Sequence, residues 1–194
     1  MDTLLDQIHR YLRFPISQRF LYVSLHPFGA GMCLLDTPLR IYNIHRHEYC
    51  LFLKGVDGVW KKCVRCQEMA WKKSENGEFY GVCHGGVGEF VYPLTGPDRQ
   101  ALGFISVSGY APADRAEYEN RLSAEFALSE KQLQQAAARL LPMPTKEELD
   151  TLIHPLCRML ELYFIRQPLS EPKSFDQKVI SYLHSHYKED ITSR

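Results

Sequence analysis

The hydrophobic positions follow a helical period near the start of the chain and then crowd into short extended segments. Helical spacing relates five apolar residues in the first turns: Leu4, Leu5, Ile8, Tyr11 and Leu12. This pattern predicts a first helix that ends near Pro15. Aromatic and β-branched residues at positions 20–25 precede the turn sequence HPFGAG and predict a strand. A second short extended segment is expected at positions 40–44.

The middle of the chain combines one long helical pattern with a run of strands. Positions 57–73 place Val59, Val64 and Ala70 on one face and several lysines on the other, which predicts an amphipathic helix. Three strands are predicted after it, at positions 78–83, 90–94 and 102–110. The loops between these strands are short and rich in glycine, which favours antiparallel neighbours.

After Pro112 the pattern is helical almost to the end of the sequence. The strongest apolar stripe is formed by Leu149, Leu152, Ile153, Leu156, Leu160 and Tyr163. We interpret this stripe as a helix that packs on the sheet, and the alternative is a dimer helix whose seam is the stripe. The predicted fold class is therefore α+β, with an antiparallel sheet flanked by helices and a helical C-terminal tail.

The C-terminal quarter contains a predicted boundary. The segment QPLSEPKS at positions 167–174 carries two prolines and two serines and is interpreted as a linker. Positions 175–194 begin a new amphipathic helix, which Ser174 is placed to cap. One such helix cannot form a core by itself, so it either packs back on the domain or is the first element of a further module. We assign positions 1–166 to the main domain.

Charge and targeting signals narrow the class of protein. The 194 residues include 23 basic and 23 acidic side chains, so the formal net charge is zero and the chain by itself is not expected to bind nucleic acid. The N-terminal segment lacks the apolar core of a signal peptide, and no run approaches the roughly 20 apolar residues of a membrane span. We expect a cytoplasmic protein without a membrane partner, in a compartment where clustered cysteines rarely form structural disulfides.

One region of the sequence concentrates most of the cysteines. Its members are Cys50, Cys63, Cys66 and Cys83. Their spacing is compatible with a four-thiolate site for zinc or with an iron–sulfur cluster, and His45, His47 or His84 could replace a thiolate. Two alternatives remain open from the residues alone: buried thiols that line a pocket, and a redox switch.

Other residues that could carry chemistry give weaker signals. Cys33 and Cys157 are interpreted as buried thiols without a chemical role, and the histidines of HRH at positions 45–47 as surface or capping residues. Adjacent residues of a strand point to opposite faces, so Cys83 and His84 are not expected to form a catalytic pair. The sequence contains neither a P-loop nor a dinucleotide-binding fingerprint, and we predict that the protein is not an enzyme.

The last predicted strand carries a row of hydroxyl groups. Ser106, Ser108 and Tyr110 alternate with Ile105 and Val107, so the hydroxyls are expected on one face of the sheet and the aliphatic groups on the other. Such a face suits a small polar ligand if it is enclosed. The predicted ligand-binding residues are Tyr22, Ser106, Ser108 and Tyr110.

The order of these motifs resembles the PocR sensory domain of bacterial signal-transduction proteins. The shared features are Cys50, Cys66, a strand that ends in Cys83-His84-Gly85-Gly86-Val87, the pair Pro93-Leu94, and Leu102-Gly103 followed by Gly109. The resemblance implies a PAS-related fold that senses small molecules, for which hydrocarbon derivatives such as diols are proposed ligands. This chain differs in having Cys63 as an additional cysteine, and Tyr110 where the family has glutamine.

Positions 175–194 resemble the opening helix of an AraC-type helix-turn-helix domain, with the sequence Ile-Thr-Ser at 191–193 as its turn. Together the two resemblances predict the ligand-sensing domain of a one-component transcription regulator. The expected partners are a small-molecule ligand, a second copy of the chain in a homodimer, and DNA through the missing part of the C-terminal module. The alternative function is a metal or redox sensor in which the cysteines themselves are the receptor.

Overall fold

The computed structural model describes residues 3–17, 21–96 and 99–166. The predicted linker at 167–174 and the predicted helix at 175–194 lie outside the described residues. The α-helices are α1 Leu4–Tyr11, α2 Glu48–Lys54, α3 Val59–Ser74, α4 Arg115–Phe126, α5 Glu130–Ala137 and α6 Lys146–Arg166. The strands are β1 Tyr22–Pro27, β2 Phe79–Val82, β3 Gly88–Thr95 and β4 Ala101–Tyr110. Among the helices in these ranges, none has both the length and the apolar character that crossing a membrane requires.

The strands form a sheet of order β1-β4-β3-β2 in which every neighbouring pair is antiparallel. Ser106 on β4 lies opposite Ser24 of β1 on one side and Val91 of β3 on the other, so it occupies the middle of the sheet. Helices pack on both faces. The structure confirms the α+β class and the antiparallel sheet flanked by helices.

One face of the sheet packs against α1 and α6 and holds the larger part of the apolar core. Leu25, Tyr92 and Ile105 project from β1, β3 and β4 into this core, where they meet Ile8 of α1. The stripe of α6 is buried here through Leu149, Ile153, Leu156 and Leu160. Burying this stripe removes apolar surface from water, which is the main favourable term in folding. The interpretation of the stripe as a helix packed on the sheet is confirmed.

The opposite face of the sheet is covered in part by α3, which forms a hairpin with α2. A left-handed Gly58, with a φ of 80°, precedes α3 and makes the sharp entry that a Cβ would strain. Ala70 of α3 packs against Val91 and Phe104 of the sheet. At its other end Val59 packs with residues of α4 and α5. The hairpin therefore lies between the sheet and a second, smaller apolar core.

Two segments near the N-terminus differ from the secondary structure that the sequence pattern predicts. The predicted extended segment at 40–44 is wrong, because the chain forms the 3₁₀-helix Pro38–Tyr42 there, which starts with proline and is capped by the hydroxyl of Thr37. After α1 the chain continues as the π-helical turn Leu12–Ile16, which includes Pro15. Proline has no N–H to donate to the helical ladder, which accounts for the wider turn at this position.

Candidate functional site

A cavity of about 40 Å³ lies between the sheet and the α2–α3 hairpin. Side chains from β1, β3, β4, α2, α3 and the turn after β2 form its walls. The lining includes four thiols, three imidazoles, one ammonium group and one carboxyl group. The four clustered cysteines of the sequence all line this cavity: Cys50, Cys63, Cys66 and Cys83. The structure therefore brings the four predicted thiols to one cavity. That they bind a metal ion stays a prediction.

Three separate elements position the thiols. Cys50 lies on α2, which His47 caps by accepting a hydrogen bond from the Tyr49 N–H at 3.2 Å. Cys63 and Cys66 lie one turn apart on α3. Cys83 follows β2 in a tight turn, where its N–H donates to the Val87 carbonyl at 3.0 Å and its carbonyl accepts from the Gly86 N–H at 2.9 Å.

Burial raises the pKa of all four thiols. The pKa of Cys50 rises to about 12 and that of Cys63 to about 11, mainly because burial penalises the charged thiolate. The pKa of Cys66 is also raised, and that of Cys83 lies well above its usual range for the same reason. These groups are thiols at neutral pH, and a thiol is a poor nucleophile. This disfavours both Cys83 as a catalytic nucleophile and a fast-reacting redox switch.

The sheet side of the cavity is polar. Nε2 of His26 and Nε2 of His45 are 3.2 Å apart, so one imidazole donates and the other accepts. Glu89 lies 3.8 Å from His45 and accepts a hydrogen bond of 2.7 Å from the Ser106 hydroxyl. Burial raises the pKa of Glu89, lowers the pKa of His26 well below its usual range, and lowers the pKa of His45 to about 3. Both imidazoles are neutral at pH 7.

Two further groups complete the polar lining. The Lys54 ammonium donates to the His45 carbonyl at 3.2 Å, and burial lowers its pKa. It also lies 5.5 Å from the centre of the Trp60 ring. Nδ1 of His84 is 3.4 Å from Sγ of Cys66, and Nε2 of His84 is buried without a hydrogen-bond partner. A buried polar atom without a partner is rare, because leaving it so costs free energy.

The predicted hydroxyl-lined ligand face does not line the cavity. Ser106 and Ser108 lie on the cavity side of the sheet, but neither is among the lining residues: the Ser106 hydroxyl donates to Glu89, and the Ser108 hydroxyl is buried without a partner. Tyr110 lies on the opposite face, in the apolar core with Ile105, so its assignment to the same face was wrong. Tyr22 is also outside the cavity lining, and its ring packs 4.7 Å from that of His47.

A β-bulge explains the reversal at the end of β4. The pairing register shifts between Gly88 and Glu89, opposite the segment from Ser108 to Tyr110. Gly109 has a φ of 99°, a conformation that L-residues with a side chain rarely adopt. The extra residue of the bulge sends the following side chain to the other face of the sheet. Strict alternation along the sequence therefore predicts the wrong face for Tyr110.

Of the predictions for the histidines at 45–47 and for the two cysteines outside the cluster, some are confirmed and others are wrong. The capping interpretation is confirmed for His47 and wrong for His45, which lines the cavity. Cys157 is buried as predicted, whereas Cys33 is exposed, which corrects its assignment to the interior.

Three residues that line the cavity were not predicted from the sequence as site residues: His26, Lys54 and Glu89. His26 and Glu89 lie just outside the strands predicted at 20–25 and 90–94, so the strand patterns gave neither side chain a place in the interior.

The cavity ligands are grouped without converging on one point. Among the residues that the structure describes, the three His, Cys or acidic side chains with ligand atoms all within 4.8 Å of one another are Glu78, Asp150 and His154. That group is at the surface, and the Lys146 ammonium already contacts both its carboxylates at 2.6 Å. Zinc holds sulfur at about 2.3 Å, so the cavity thiols must move closer together to bind an ion.

Comparisons of this chain with protein-family models, with curated proteins and with solved structures return no match. The PocR and AraC resemblances accordingly stay predictions that rest on the sequence motifs.

Proposed function

We propose that this chain is the ligand-sensing part of a cytoplasmic bacterial transcription regulator and that the cavity is its receptor site. The observation that carries the proposal is the number of ionisable side chains facing one small buried space. Burying such groups costs free energy, and apolar residues of similar size would stabilise the same space better. A binding site accounts for this cost, because its polar groups gain their partners when the ligand enters.

The sheet provides a connection from the cavity to α6, the helix that precedes the predicted linker. Glu89 faces the cavity from β3, and further along the same strand the Tyr92 hydroxyl donates to Asp150 of α6 at 2.9 Å. Thr95, at the end of β3, donates to Glu161 of α6 at 3.2 Å. A ligand that displaces β3 therefore displaces α6, and through it the predicted DNA-binding module.

A metal sensor is the second candidate, and the four thiols around one cavity favour it. A redox sensor is less well supported, because protonated buried thiols react slowly with oxidants.

Hydrogen exchange of the full chain tests the proposal, with Zn²⁺ and propane-1,2-diol as the two probes. We expect at least one probe to slow amide exchange in α2, α3 and α6 together. Ala70 is buried and lines the cavity, so Ala70→Val and Ala70→Leu fill it and are expected to abolish the response. The control is Ala124→Leu, an exposed position on α4.

Two outcomes contradict the proposal. In the first, the filled variants respond as the wild type does, which places binding elsewhere. In the second, protection stays within α2 and α3 and never reaches α6, which makes the site structural.

A further inference from the structure

We infer that the cavity binds a single thiophilic d¹⁰ metal ion of the Zn²⁺ class through Cys50, Cys63, Cys66 and Cys83, and that binding draws α2, α3 and the turn after β2 together. The inference rests on the proposed function, since it names the occupant of the same receptor site. It also gives the sensor its movement, because the thiols must approach one another to reach the ion.

The four thiols face one cavity from three separate elements. All four thiols line the same cavity, which Cys50 reaches from α2, Cys63 and Cys66 from one turn of α3, and Cys83 from the turn after β2. Four thiol donors around one cavity are the ligand set of a tetrahedral structural zinc site.

The turn that carries Cys83 is built close against α2. A Cβ on Gly85 would lie 2.8 Å from Cδ1 of Leu53 and 3.5 Å from Sγ of Cys83, so a larger residue there would have to displace the Leu53 side chain. Gly86 has a φ of 70° and faces Tyr118 of α4 at a similarly short distance. Two glycines thus bring the Cys83 thiol to the hairpin that carries the other three.

The size of the cavity selects the kind of occupant. One water needs about 10–15 Å³ of such space, so 40 Å³ holds an ion or a few waters. For comparison, an engineered apolar cavity of about 150 Å³ binds benzene. The volume therefore favours one metal ion.

The surroundings offset the charge that four thiolates bring. Zn²⁺ with four thiolates carries a net charge of −2, and each ligand releases one proton to the solvent as it binds. The Lys54 ammonium supplies a positive charge, since it lines the same cavity, where it donates to the His45 carbonyl at 3.2 Å. His84, at 3.4 Å from Sγ of Cys66, is placed to donate its Nδ1–H to that sulfur once it is a thiolate.

The experiment is a metal titration of the full chain, purified without oxygen and stripped with a chelator. We expect one equivalent of Zn²⁺ per chain with a dissociation constant below roughly 100 nM, measured against a chromophoric chelator. Co²⁺ in its place is expected to give the intense visible bands and sulfur-to-metal charge-transfer bands of tetrahedral thiolate coordination. Calorimetry in buffers of different ionisation enthalpy should count close to four released protons.

Matched cysteine variants separate ligands from packing. Cys63→Ser and Cys83→Ser should each weaken zinc binding by about 100-fold or more. Cys33→Ser and the buried Cys157→Ser should leave it unchanged, even if Cys157→Ser lowers stability. Lys54→Met should weaken binding by about tenfold and move its pH dependence upward, and Lys54→Arg should restore most of the loss.

Three results overturn the inference: a dissociation constant above the micromolar range, a weak octahedral Co²⁺ spectrum, or equal losses from Cys33→Ser and Cys63→Ser. Failure here is distinguishable from failure of the sensor function. If Zn²⁺ does not bind but propane-1,2-diol still slows exchange in α6, the sensor function stands and the metal is wrong. If Zn²⁺ binds tightly and neither probe changes exchange in α6, the metal is right and the sensor function is wrong.

Discussion

The hydrogen bond between Ser106 and Glu89 offers the sharpest test of the polar cavity wall. Both side chains are buried, at 0% and 8% exposure, and the hydroxyl donates to the carboxyl at 2.7 Å. Ser106→Ala removes this donor, so the Glu89 carboxyl loses its hydrogen bond. A hydrogen bond to a charged group contributes about 1.5–3 kcal/mol, so we expect a loss of that size in the free energy of unfolding near pH 8.

The size of the loss should depend on pH in a defined direction. Burial raises the pKa of Glu89 and the Ser106 bond partly lowers it again, so the variant has the higher pKa. A carboxyl group whose pKa is raised in the folded state contributes stability at low pH, and this contribution is lost as the pH rises through the folded pKa. The Ser106→Ala loss should therefore be larger above the folded pKa of Glu89 than below it, because the hydroxyl stabilises the ionised carboxylate most.

Ser108 provides a matched control on the same strand and the same face. Its hydroxyl is also fully buried but has no hydrogen-bond partner, so Ser108→Ala should change stability by less than about 0.5 kcal/mol. Urea unfolding, followed by the fluorescence of Trp60 and Trp71 on α3, measures both variants. Equal losses at the two serines, or a double-mutant cycle of Ser106→Ala with Glu89→Gln that shows no coupling, would refute the reasoning.

Two further predictions concern the thiols and a close backbone approach. In metal-free protein at pH 7.5, iodoacetamide should label exposed Cys33 well before Cys50 or Cys83, as resolved by peptide mass spectrometry; rapid labelling of Cys83 would restore the redox interpretation. Gly31→Ala would place a Cβ against the Leu102 carbonyl and should cost about 1–3 kcal/mol or more in urea unfolding, because backbone cannot give way. Its control is Gly77→Ala, which meets only the strain of a positive φ, and a larger loss there would contradict the clash.

The parts of the fold that the sequence predicted well are those set by local periodicity. α3 and the strands β2 to β4 lie within a few residues of their expected positions, because apolar spacing and turn residues act over short stretches. The 3₁₀-helix at Pro38–Tyr42 was missed, since capping by Thr37 outweighs the β-branched character of the segment. The reversed face of Tyr110 was missed as well, because a bulge depends on the partner strand and not on the strand's own sequence.

The candidate site was likewise predicted only where local sequence spacing determines it. Helical spacing predicted that Cys63 and Cys66 lie together. Cys50 and Cys83 are close to this pair in the sequence, which predicted a site common to all four. His26, Lys54 and Glu89 could not be added, because they reach the cavity from β1, α2 and β3 through tertiary packing alone. The polarity of the wall opposite the thiols is a property of the folded sheet.

The two faces of the sheet differ in a way that bears on function. The face toward α6 is filled with apolar side chains, whereas the face toward α3 combines a small apolar patch with buried charge-bearing groups. The first arrangement stabilises the fold, and the second reduces its stability, because each ionisable group gives up hydration. β3 belongs to both, with Glu89 on one side and Tyr92 on the other. Under the proposed function, a ligand that neutralises or pairs the groups on the polar face would act on a strand whose other face is closely packed, and the displacement would pass to α6 because the close-packed core cannot absorb it.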